Sequence, residues 1–87
     1  MEFSKNHIHE MMDQYLQDNE DFGDIDETIL INEVFKGFKP MLLENTSDKV
    51  TTSLLQEHSN KLEGIPKDIF EDFVLYLQVT ELDNNLL

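Results

Sequence analysis

The chain has no cysteine, arginine, alanine or tryptophan. Without cysteine there is no disulfide, no thiolate nucleophile and no cysteine-based zinc site, and a reducing compartment is permitted. Without arginine the chain lacks the planar fork that reads carboxylate, phosphate or guanine through paired hydrogen bonds. Its three glycines are not clustered, so no phosphate-cradling loop can be built. No apolar run approaches the roughly 20 residues needed to span a bilayer. The opening MEFSKNHIHE holds no apolar core of a secretory signal. The expectation is therefore a cytoplasmic protein with no membrane partner. Missing alanine and arginine beside abundant asparagine suit AT-rich coding, as in small proteins of many low-GC bacteria and phages.

What is present is negative charge. Nineteen Asp and Glu stand against six Lys in 87 residues, a formal net charge of −13. Such a field repels phosphate backbones and favours basic partners, so direct nucleic-acid binding is not expected and a basic protein partner is. The length allows one domain with one modest core. A chain of this size buries roughly 60–65% of its unfolded surface, which leaves stability marginal.

The apolar residues are spaced for helices. Residues 66–82 carry Ile69, Phe70, Phe73, Val74, Leu75, Tyr76, Leu77, Val79 and Leu82. The spacing of Ile69, Phe70, Phe73, Val74 and Leu77 is that of a buried helical face, with Pro66 at its first position. Leu75, Tyr76, Val79 and Leu82 widen that face, so this helix should be covered on more than one side, by other helices or by a second chain. A first helix is expected over about 4–18, capped by Ser4 and stapled by Phe3 and Ile8, with Ile8, Met11, Met12, Tyr15 and Leu16 facing inward.

A second helix is expected over about 27–38, capped by Asp26, with Leu30, Ile31, Val34, Phe35 and Phe38 as its apolar stripe. Pro40 should end or kink it. Residues 40–47 read as either helix or loop, with a break favoured at Ser47. A third helix over about 48–63 carries Val50, Leu54, Leu55, His58 and Leu62 and should close on a left-handed Gly64. Thr51, Thr52 and Ser53 lower its helicity. No alternating strand pattern persists. The expected fold class is all-α: a small four-helix bundle or irregular helical globule, residues 1–87 forming a single domain.

Residues 18–27 hold six acids and no base. Gly23 with the surrounding Asp and Asn predicts a loop, pinned to the core by Phe22 and Ile25. The run fails as an EF-hand calcium loop, because Phe22 and Ile29 would fall at the fifth and twelfth positions, where ligands are needed. His7 with Glu10 and His9 with Asp13 have helical chelate spacing, but no third ligand follows from the sequence, so no metal is expected. His58 is expected as a partly buried, hydrogen-bonded residue. No serine or threonine sits in a nucleophile elbow, and no catalytic residue or cofactor is assigned; the chain is not expected to be an enzyme.

In length and acidity the chain is similar to the immunity proteins of nuclease colicins, which are acidic four-helix domains. Their tyrosine-containing contact motif is absent here, so the similarity carries over no residue.

These observations predict an acidic protein-interaction module that masks or regulates a basic partner, as an inhibitor, an immunity or anti-defence factor, or a small adaptor. The partner-binding residues expected are Asp18, Glu20, Asp21, Asp24, Asp26 and Glu27 of the acidic run, with Tyr76, Val79 and Leu82 of the last helix. A structural protein that homodimerises through that helix is the alternative. DNA mimicry by ordered rows of carboxylates is a further one.

Overall fold

In the computed structural model the chain runs β1 (Glu2–Ser4), α1 (Lys5–Asp21), α2 (Ile25–Glu44), β2 (Lys49–Thr51), α3 (Thr52–Asn60) and α4 (Gly64–Leu86). The structure describes residues 2–21, 23 and 25–86, with side chains described as far as Thr80. The fold is all-α apart from one short ribbon among these residues. Phe22, Asp24 and Leu87, and the side chains of Leu82 and Leu86, lie outside what is described.

α1 starts where Ser4 Oγ accepts the His7 N–H at 3.1 Å. Phe3 and Ile8 are both buried, as a staple requires. Ile8 and Met12 point into the core, with Met11, Tyr15 and Leu16 packed half-buried against it. The helix does not stop at Asp18 but continues to Asp21, so the first half of the acidic run is helical rather than loop. Gln14 Nε2 donates to Asp18 Oδ1 at 2.8 Å, an i, i+4 bond of the kind that supports a helical turn. Gly23 makes the stop, with φ +79° and its N–H on the Glu20 carbonyl at 2.9 Å.

α2 begins at Ile25, which puts Asp26 and Glu27 inside its first turn rather than at its cap, beside the positive end of the helix dipole. Ile25 does not pin a loop to the core; it is 73% exposed. Leu30, expected in the buried stripe, is also largely exposed, while Ile31, Val34, Phe35 and Phe38 are buried. Pro40 does not end the helix. It is exposed and its missing N–H removes one backbone bond, but Phe38 and Leu42, both fully buried, hold the turns on either side against the core.

The third segment differs most from expectation. Ser47 caps no helix; its Oγ accepts the Lys49 N–H at 3.1 Å in a turn leading to a strand. β2 pairs antiparallel with β1, matching Glu2 with Thr51, Phe3 with Val50 and Ser4 with Lys49. Three residues per strand are too few to show an alternating pattern. Phe3 and Val50 are fully buried, so the ribbon is held by its core side chains. The Lys5 N–H continues the pairing to the Asp48 carbonyl at 2.9 Å. α3 therefore starts at Thr52, and Thr51 caps it by accepting the Leu54 N–H at 3.2 Å.

Gly64, expected to close this helix, instead opens α4 with φ +65°, while α3 ends at Asn60 and is capped by Lys61 in right-handed geometry. α4 packs against α1, α2 and α3. Phe70, Phe73 and Leu77 are fully buried, with Ile69, Val74 and Tyr76 packed half-buried beside them, so three helices cover its wide apolar band as expected, while Leu75 and Val79 stay 58% and 56% exposed. Phe35 meets Phe73 at 4.8 Å between ring centroids and Phe38 meets Phe70 at 5.0 Å, a pairing that runs α2 and α4 antiparallel.

Candidate partner-binding surface

The aromatic core continues outward at one end. Tyr15 stacks edge-on against Phe35 at 6.0 Å, Phe73 at 5.6 Å and Tyr76 at 5.5 Å. Its hydroxyl emerges from this packing and donates to Asp72 Oδ2 at 2.6 Å. Burial, reinforced by the hydrogen bond to Asp72, raises the Tyr15 pKa well above its ordinary value. Burial and the neighbouring Asp18 raise that of Tyr76. Both phenols therefore stay protonated at neutral pH, as uncharged hydrogen-bonding groups.

Around these two rings lies a cleft of about 230 Å³ lined by Tyr15, Asp18, Asn19, Glu27, Asp72 and Tyr76. Its three carboxylates come from three helices: Asp18 from α1, Glu27 from α2 and Asp72 from α4. Asn19 Nδ2 donates to Thr28 Oγ1 at 2.9 Å and ties α1 to α2 at this end. Beyond that bond is a more apolar hollow of about 290 Å³ lined by Glu20, Gly23, Ile25, Thr28 and Ile29. Carboxylates on an aromatic floor beside an apolar hollow can hold a cation and an apolar group together.

Of the residues expected from sequence, the structure brings Asp18, Glu27 and Tyr76 together in the cleft and places Glu20 at the hollow. Asp21 and Asp26 are exposed on α1 and α2 but line neither depression. Val79 is exposed one turn beyond Tyr76. Asp24 and the Leu82 side chain fall outside the described residues. Sequence reasoning missed Tyr15, Asp72 and Ile29. A partial signal existed in two spacings, Tyr15 with Asp18 at i, i+3 and Asp72 with Tyr76 at i, i+4, each setting a carboxylate beside a ring on one helix face.

Two other features belong to the frame. Ser59, buried on α3, donates from Oγ to Glu71 Oε1 at 3.1 Å beside a groove lined by Leu55, Val74, Leu75 and Gln78. His58 lies between Phe38 and Phe70, with ring centroids at 5.2 and 4.8 Å. Contrary to expectation its Nε2 is buried with no hydrogen-bond partner among the described residues. The aromatic rings that enclose it offer no acceptor of ordinary strength. Burial, with Lys61 nearby, lowers its pKa. Among the described residues no group of three His, Asp or Glu is arranged to hold a metal ion. No described helix is long and apolar enough to cross a membrane.

No family model, curated protein or solved structure matches this chain.

Proposed function

We propose that the chain is a small acidic protein-interaction module that binds a basic protein partner through the end of the molecule where α1, α2 and α4 meet. The observation that carries this reading is the convergence of Asp18, Glu27 and Asp72, from three helices, around the half-buried side chains of Tyr15 and Tyr76. Carboxylates on a net charge of −13 repel one another, and here they are held together on a packed aromatic base. A cationic surface would relieve that repulsion. Long-range charge would speed the encounter, and the aromatic and apolar contacts would set the affinity.

The test compares immobilised wild type with an Asp18→Asn, Glu27→Gln, Asp72→Asn triple variant as capture reagents. Wild type should retain a basic protein that is released as salt rises, and the variant should retain much less. Equal retention by both, or retention of no basic protein, refutes the reading. A second reading, homodimerisation through α4, is favoured by the exposure of Leu75 and Val79 one turn apart on that helix. Light scattering on the isolated chain would report a dimeric mass if it holds.

A further inference from the structure

We propose that the α1–α2 end docks a short amphipathic basic segment of the partner, with an apolar side chain in the Ile25–Ile29 hollow and a lysine or arginine side chain in the adjoining Tyr15–Tyr76 cleft. The inference rests on the reading above and adds the chemistry of the segment recognised.

The hollow supplies the apolar half. Ile25 and Ile29 stand one helical turn apart on α2 and are 73% and 56% exposed, on a helix whose other large apolar side chains are mostly buried. Nothing in the core needs them there: the inward face of α2 is already made by Ile31, Val34, Phe35 and Phe38. The hollow they form is open to water and large enough to admit an apolar side chain, and covering it is favourable.

Charge complementarity selects what covers it. Asn19 lines the cleft, Thr28 lines the hollow, and their hydrogen bond makes the two depressions neighbours. Across that bond lie the carboxylates of Asp18, Glu27 and Asp72, and no lysine is among the described residues that line either depression. A cation entering the cleft meets these carboxylates beside two uncharged tyrosine side chains. The aliphatic stem of a lysine or arginine can lie on the apolar rim while its head reaches the acids. An apolar segment without positive charge would cover the hollow but bring no charge complementary to these carboxylates. A second copy of the chain would bring another −13 to the same place.

The test follows backbone amide shifts of the intact, isotopically labelled chain as a short amidated peptide of lysines and leucines is added. The same peptide with serine at each leucine is titrated in parallel. Both should shift amides within residues 15–20, 25–29 and 72–76, and the leucine peptide should bind at least about fivefold tighter. Ile29→Ser should remove that advantage and leave the affinity for the serine peptide unchanged. Glu27→Gln with Asp72→Asn should weaken both peptides. All three positions are exposed, and an unchanged spectrum away from the site verifies the fold of each variant.

Equal affinity for the two peptides overturns the docking inference. So do shifts that spread over other acidic surfaces and ignore Ile29→Ser. Either result leaves binding of a basic partner by charge standing. No shift with either peptide overturns both readings. Shifts at these amides that change with protein concentration before any peptide is added make a second copy the occupant and overturn the inference.

Discussion

Replacing Phe73 by alanine should remove a large part of the stability of the molecule. The ring is fully buried, and it touches Phe35 at 4.8 Å and Tyr15 at 5.6 Å, so it joins α4 to both α2 and α1. Deleting a buried phenyl group costs about 3–5 kcal/mol, partly as lost transfer energy and partly as a cavity the neighbours cannot fill. Loss of two edge-on aromatic pairs, each worth about 0.5–1.5 kcal/mol, places this site in the upper half of that range. At roughly 0.05–0.15 kcal/mol per residue the whole chain has only about 4–13 kcal/mol to lose. In a domain of this size each kcal/mol moves Tm by about 4–8 °C, so the fall should be at least about 16 °C. Urea unfolding followed by far-UV circular dichroism gives the free energy, and a thermal scan gives Tm. Leu75→Ala is the control: its side chain is 58% exposed and its loss should change stability by no more than about 0.5 kcal/mol. Phe35→Ala combined with Phe73→Ala should cost less than the two single effects together, because the rings share one cavity. A Phe73→Ala protein that unfolds with wild type, or no earlier than Leu75→Ala, refutes this account of the core.

Three further outcomes are expected. His58 binds its proton less readily when folded than its ordinary value of 6.5, so below that pH the unfolded chain takes up more protons and His58 costs stability as pH falls; His58→Leu should lose less stability than wild type between about pH 7 and pH 5 in parallel urea titrations. Thr51→Ala should cost about 1 kcal/mol by removing the oxygen that caps α3, whereas Thr51→Ser should restore it, as read from denaturation midpoints. Sodium chloride at 0.15 M, which shortens the screening length to about 8 Å, should raise Tm by relieving repulsion among the carboxylates, and a steady fall over that range would show that their repulsion does not limit the fold.

Much of the helical frame could be read from residue spacing, because burial imposes a period that survives without structure. Ile8 and Met12, then Ile31, Val34, Phe35 and Phe38, and then Phe70, Phe73 and Leu77 are buried as their spacing predicts. The failures came where a local preference was overruled by packing or by a distant partner. Pro40 reads as a stop, yet buried Phe38 and Leu42 carry the helix through it. Val50 reads as a helical position, yet Phe3, far away in sequence, pairs with it across two strands. Thr51 and Thr52 read as weak helix formers; one of them is the cap, which is where a hydroxyl that competes for backbone hydrogen bonds is useful. Of the two glycines with positive φ, Gly23 lies in the turn expected of it and only Gly64 departs from expectation. Both have positive φ, but Gly23 closes α1 and Gly64 opens α4, a distinction that depends on the chain direction after each and not on glycine itself.

The candidate site was half legible, and the missing half is the part that makes it a site. The acidic run announces Asp18 and Glu27 by density alone. Asp72 stands 45 residues beyond Glu27 on α4 and arrives only because Phe73, next to it in the chain, is buried against Phe35. Tyr15 reads as a core residue, and it is one: its ring packs on Phe35 and Phe73. Its hydroxyl nevertheless reaches Asp72 at the surface. One side chain therefore belongs to both the core and the cleft, and the position of the acids is set by the same contacts that stabilise the fold. Charge density can be counted along a chain, but the placement of charge on an aromatic base depends on which helices meet. Here that meeting is fixed by Phe35, Phe73 and Tyr15.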